Sequence, residues 1–152
     1  MASRYVSVHE SPNEPGDTRP TAIQILKDKE LEGKLAGQTA LVTGCSSGLG
    51  METARAPYFA GAMLCLTARS VDKTKTTFGD MVTSDRVDLL ELDLESLARV
   101  QACAAAEFLS MNTPLNVFTC NATVTMTREG RTKDGIETQF GTNHLAHFIL
   151  FS

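Results

Sequence analysis

The passage that most constrains this chain is an apolar run, Thr39-Ala40-Leu41-Val42-Thr43, leading into a turn with three glycines, Gly44, Gly48 and Gly50. A short run without polar alternation suits a strand covered on both faces. Such a strand needs further strands beside it and helices above and below, and the rest of the chain can supply them. A helix is predicted from about Gly48 to Ala60, and Ala62 to Ala68 (AMLCLTA) predicts a second buried strand. Ser70 can cap a helix through about Val82, and Arg86 to Leu92 predicts a third strand ended by Asp93. Leu97, Val100, Ala104 and Phe108 then fall on one helical face at spacings of three and four. After Pro114, Leu115 to Thr119 predicts a fourth strand, and Ile136, Phe140, Leu145 and Phe148 mark a last helix running to the chain end. Strands alternating with helices imply parallel strands joined by right-handed crossovers. The expected fold is therefore an α/β doubly wound parallel sheet, incomplete at about four strands, with helices on both faces.

Residues 1–36 read differently, as an arm with one short helix, leaving 37–152 for the sheet domain. Pro12, Pro15 and Pro20 fall among polar residues, as in an irregular segment. Thr21 followed by Gln24 offers a capping box for a helix from about 22 to 31, closed by Gly33 and Gly37. The 152 residues carry a net charge of −4, so no basic field exists to hold nucleic acid. The longest apolar stretch, Phe59 to Ala68, is about half of the roughly 20 residues that span a bilayer, so no membrane span is expected. The opening residues MASRYVSVHE lack the apolar middle of a secretory signal, and the expected compartment is the cytoplasm. Cys45, Cys65, Cys103 and Cys120 have no CxxC spacing and read as reduced thiols packing as small hydrophobes, with a reactive Cys45 as the alternative. The sequon Asn121-Ala122-Thr123 is then accidental. His144 and His147 lie three apart on the last helix without an obvious third ligand, which favours packing over metal binding. Glu52, Glu91 and Glu137 read as solvated or capping residues.

The chemistry concentrates in Thr43-Gly44-Cys45-Ser46-Ser47-Gly48-Leu49-Gly50. Gly44 can make the tight turn leaving the strand, Gly48 can let backbone approach a diphosphate, and Gly50 can let the helix pack closely on the sheet. The helix start presents free N–H groups and its positive dipole end, and Ser46 and Ser47 add hydroxyl donors. Spacing alone fits both a structural turn and a nucleotide seat. The turn resembles the TGxxxGxG turn of the short-chain dehydrogenase/reductase family, whose fold is Rossmann-like. Arg69 after the second strand, Asp93-Leu94 after the third, Asn121-Ala122 after the fourth and Asn143 in the last helix follow in the family's order. Thr132 to Leu150 (TKDGIETQFGTNHLAHFIL) looks like the retinol-dehydrogenase-like branch, and the resemblance covers about residues 38–152.

The resemblance implies that Gly44, Ser46, Ser47, Gly48, Leu49 and Gly50 hold the cofactor phosphates and that Asp93 and Leu94 meet the adenine. Asn121 and Ala122 would line the adenosine side and brace the sheet, and Asn143 would support a water in the proton relay. Arg69 stands where NAD-selective sites place a carboxylate for the ribose 2′-hydroxyl; a guanidinium there suits a 2′-phosphate. NADP is therefore expected over NAD, with Lys73 as a helper and Asp72 keeping NAD in play. The family acts on an alcohol or carbonyl through a tyrosine, a lysine four residues later and a serine. Here the tyrosines are Tyr5 and Tyr58, followed four residues on by His9 and Ala62. The expectation is the cofactor-binding portion of an oxidoreductase, inactive in isolation, whose small-molecule substrate meets a longer parent. The alternatives are a non-catalytic nucleotide-binding or interaction protein derived from that fold, and a flavodoxin-like domain that the motif order fits badly. Pro57 inside the first helix removes a hydrogen bond and crowds Thr53 at about 3 kcal/mol or more. Cys120 and Thr123 depart from the family's Asn-Asn-Ala-Gly, and the uncovered fourth strand predicts self-association through the sheet edge.

Overall fold

The computed structural model describes residues 5–14 and 16–152; Pro15 and the first four residues of the arm lie outside the described residues. Four parallel strands form one sheet: β1 (Thr39–Thr43), β2 (Met63–Ala68), β3 (Val87–Glu91) and β4 (Val117–Thr119), in the order β3-β2-β1-β4. Leu41 lies opposite Cys65 and Phe118, and Leu66 opposite Leu89. The strand order reverses direction between β1 and β4, so the crevice beyond the carboxyl ends of these strands is the switch point at which such sheets take ligands.

Alternate residues of the inner strands feed two cores. Ala40, Val42, Leu64 and Leu66 pack against Ala54 of α2 (Gly48–Phe59) and Phe78 of α3 (Val71–Phe78). Leu41, Cys65 and Leu90 pack on the other face against Val100 of α4 (Leu97–Ala102), Cys103, Phe108 and Ala146. Helices thus cover both faces of the sheet, as its uninterrupted apolar strands require. α4 continues as a π-helical turn, Cys103–Phe108. The chain's last helix is likewise interrupted: α5 (Thr138–Phe140), a π-helical turn over Gly141–Leu145, then α6 (Ala146–Phe151).

The arm contributes α1 (Ala22–Asp28), shorter than its predicted span. Thr21 caps it, accepting from Gln24 N at 3.2 Å, but the Gln24 amide turns down the helix to Asp28 Oδ1 at 2.9 Å, so the capping box closes on one side alone. Upstream, Asp17 gathers Asn13 N at 2.8 Å and both the backbone and Nε of Arg19 at 2.9 Å, and the Arg19 hydrogen bonds hold its carboxyl down at about 2.

Pro57 does not end α2, which runs on to Phe59. Arg86 braces the exit: its guanidinium donates to Tyr58 O and Ala62 O, both at 3.1 Å, and stacks 4.1 Å from the Tyr58 ring centre. Two further expectations need correction. Cys120 is exposed, while Cys45, Cys65 and Cys103 are buried as expected. The stripe that marks the last helix does not face inward throughout: Phe140 and Phe148 are 55% and 62% exposed, and Thr142, Ala146 and His147 pack instead. Among the described residues no helix is long and apolar enough to cross a membrane.

Candidate functional site

The loops at the carboxyl ends of the strands enclose a cleft of about 370 Å³. Gly44, Ser46, Ser47, Leu49 and Gly50 form its floor, Arg69, Asp93 and Leu94 one side, Asn121 and Ala122 the other. Ten of the residues singled out in the sequence therefore border one space. Gly48 belongs to the same turn without bordering the cleft, and neither does Asn143.

The glycine turn is held from three directions. Gly44 N and Cys45 N donate to Thr67 O at 3.0 and 3.2 Å, tying the turn to β2. Asn121 Nδ2 donates to Thr43 O at 2.8 Å and Gly44 O at 3.3 Å, tying it to the loop after β4. Thr77 Oγ1 donates to Ser46 O at 3.1 Å from α3. This closeness requires glycine twice. A Cβ on Gly44, which has φ +72°, would lie 2.7 Å from Ala122 Cα, and one on Gly50 would lie 2.3 Å from Gly44 O. Gly48 has φ +60° and open space around its missing Cβ, so its backbone conformation alone calls for glycine.

Ser47 is the N-cap of α2, with extended backbone and a side chain that makes no capping hydrogen bond. The first-turn N–H groups of α2 therefore keep their capacity for an outside acceptor, at the positive end of a twelve-residue helix. Two buried hydroxyls on the cleft wall, Thr67 Oγ1 and Thr142 Oγ1, also have no partner among the described residues. Buried polar atoms are rarely left so. The open backbone groups are thus donors suited to an anion, and the two hydroxyls can donate or accept beside them.

Beneath the cleft lies a buried junction. Thr43 Oγ1 accepts from Ala122 N at 2.9 Å and meets His147 Nε2 at 2.9 Å, and His147 Nδ1 is 3.1 Å from Asn143 O. A neutral imidazole with its proton on Nδ1 satisfies all three contacts. Burial holds the His147 pKa below its usual 6.5 against the opposing pull of Asn143 O. Asn143 is engaged too: Oδ1 accepts from Val124 N and Nδ2 donates to Val124 O, each at 2.8 Å. Its amide thereby fixes the backbone at Val124, which borders the cleft.

At the outer edge, burial works against ionisation of Asp93, but hydrogen bonds from Lys133 and from Glu95 N hold its carboxyl below the usual value. Lys133 Nζ is 2.6 Å away. Arg69 is mostly exposed, with Nη1 3.6 Å from Glu95 Oε1. Burial pushes the Cys45 thiol up to about 12, which fits packing and not reactivity, and Cys65 and Cys103 are pushed to about 12 and about 11. His144 lies against Phe140, and no group of three or more His, Cys, Asp or Glu among the described residues is placed to hold a metal. Glu137 caps α5, accepting from Gln139 N and Phe140 N. Thr67, Glu95, Val124 and Thr142 are cleft residues that the sequence reading misses. Thr67 lies within the second strand that the sequence marks and was within reach of it; Glu95 comes into place where β3 approaches β2, and Val124 and Thr142 through the Asn143 bridge across 19 residues.

Residues 38–152 match the family model described as short chain dehydrogenase. The chain is 40% identical over 148 residues to the short-chain dehydrogenase/reductase prx1 of Penicillium rubens, covering 97% of this chain and 43% of that protein. It thus spans less than half the length of that curated relative. A solved structure from Mycobacterium paratuberculosis, 34% identical, superposes with a TM-score of 0.66 over 76% of this chain and 41% of its own. A metagenomic short-chain oxidoreductase solved in complex with NADP, 27% identical, superposes with a TM-score of 0.63 over 77% of this chain and 54% of its own. With its glycine turn, sheet order and family match in agreement, this chain belongs to the short-chain dehydrogenase/reductase family of oxidoreductases.

Proposed function

We propose that this chain is the NADP-binding portion of a short-chain oxidoreductase that acts on an alcohol or carbonyl in the longer protein. The observation that carries the reading is the uncapped start of α2, set on a glycine turn and opening into the cleft beside Arg69. When bound, the dinucleotide supplies or accepts hydride. The protein's own residues do the holding. Ser46, Ser47 and the first N–H groups of α2 meet the diphosphate, with Gly48 and Leu49 in the same turn. Arg69 offers a fork of donors to the 2′-phosphate. Asp93 and Leu94 border the adenine, and Asn121 and Ala122 keep the turn against the sheet. Asn143 is a positioning residue, keeping Val124 and the last helix in register for the relay.

The solved relative with NADP supports this cofactor by likeness alone. Three buried, unbridged thiols support a reducing compartment, the cytoplasm. Val117, on a strand hydrogen-bonded to β1 alone among the described strands, is 40% exposed and supports self-association through that edge. Calorimetric titration with NADPH tests the cofactor reading. Saturable binding that weakens about tenfold or more on Arg69→Gln is expected, since a charge-assisted hydrogen bond contributes about 1.5–3 kcal/mol. No heat at millimolar NADPH refutes it.

A further inference from the structure

The outer edge of the cleft carries two cations, each already opposed by a carboxylate: Lys133 by Asp93 at 2.6 Å, and Arg69 by Glu95 at 3.6 Å. We infer that Glu95 is a specificity-determining residue, restraining the preference for a 2′-phosphorylated nucleotide that Arg69 confers. The inference rests on the dinucleotide reading of the cleft. Arg69 and Glu95 both border the cleft, and their side chains are 71% and 36% exposed. To hold a ribose 2′-phosphate, Arg69 must part from Glu95 or share itself between two anions, and the carboxylate repels the phosphate dianion. A ribose 2′-hydroxyl in the same place instead donates to that carboxylate. The acid that NAD-selective sites carry at the end of the second strand is thus supplied here from the loop after β3.

That loop is anchored by backbone, which isolates the side chain for testing. Glu95 N donates to Asp93 Oδ1 at 3.1 Å, and Glu95 O accepts from Lys133 N at 2.9 Å. Leu97 N, two residues on, donates to Asp134 Oδ2 at 2.8 Å. Glu95→Gln removes the charge and keeps the loop.

The experiment is calorimetric titration of the full chain and its Glu95→Gln variant with NADPH and with NADH, which differ in the 2′-phosphate. The readout is binding, not turnover. Glu95→Gln is expected to raise the affinity for NADPH relative to NADH about fivefold, the size set by a partly exposed charge pair. Glu95→Ala shifts the ratio in the same direction. A ratio unmoved in both variants, with binding retained, overturns the role of Glu95 and leaves the cofactor site standing. Binding of neither dinucleotide by any of the three proteins overturns both readings.

Discussion

Gly50→Ala adds one methyl group where the structure has no room for it. On an open helix this exchange stabilises by about 1 kcal/mol. At Gly50 the new carbon would stand 2.3 Å from Gly44 O and 2.5 Å from Asn121 Nδ2. Moving the turn away is overpacking, at about 1–3 kcal/mol. Moving the Asn121 amide breaks its 2.8 Å bond to Thr43 O, leaving a strand-end carbonyl unpaired at about 1–3 kcal/mol more. With middle values the net loss is about 3 kcal/mol, a drop in melting temperature of roughly 6–12 °C for a chain of this size. Gly48→Ala is the control, because it adds a methyl into open space and bears only the strain of φ +60°, about 1–2 kcal/mol. Thermal unfolding of the three proteins by circular dichroism decides the matter. A Gly50→Ala protein as stable as the parent, or more stable than Gly48→Ala, would show that helix and turn are not in the contact described.

Thr43→Val deletes the buried hydroxyl that joins Ala122 N and His147 and should cost about 2–3 kcal/mol in urea denaturation, whereas Thr67→Val, at a hydroxyl without a partner among the described residues, should be nearly neutral. Equal losses would contradict the assignment of partners. Because burial keeps the folded pKa of His147 under 6.5, the unfolded chain takes up that proton first; stability is full above about pH 6.5 and declines as pH falls through the folded value. Urea midpoints should therefore drop between pH 7 and 5.5, above the carboxylate range, and His147→Gln should flatten that drop; an unchanged slope in the variant would place the titrating group elsewhere.

The parts of this fold readable in advance were those set by local pattern. β1 and β2 are buried along nearly their whole length and carry threonine as their one polar residue type, so their runs mark them clearly. The glycine turn was readable because Gly44 and Gly50 answer steric demands one turn of chain apart. The face of α4 was harder. Among the described residues Val100 of α4 and Cys103 and Phe108 of its π-helical continuation are buried, and the five-residue step from Cys103 to Phe108 belongs to that turn; regular spacing put Ala104 in the stripe. Interactions across long stretches left no local mark: Thr43 with His147 across 104 residues, Lys133 with Asp93 across 40. Arg69 was legible as a strand-end cation, but its neighbour Glu95 was not, since that pairing depends on the approach of β3 to β2. Pro57 shows a local signal that does not set a boundary, since α2 runs through it to Phe59.

The two ends of the sheet differ in mechanical character. At the amino ends Arg86 staples the exit of α2 to the start of β3, Asn116 Oδ1 accepts from Thr39 N at 2.9 Å, and Asn116 N donates to Thr39 O at 3.0 Å. At the carboxyl ends backbone ties the glycine turn to β2 and the Asn121 side chain ties it to the loop after β4, around an open cleft. The amino ends thus close on themselves where the carboxyl ends leave a cleft, and swapping Arg86 for a shorter side chain would remove two hydrogen bonds from the end of the sheet opposite that cleft.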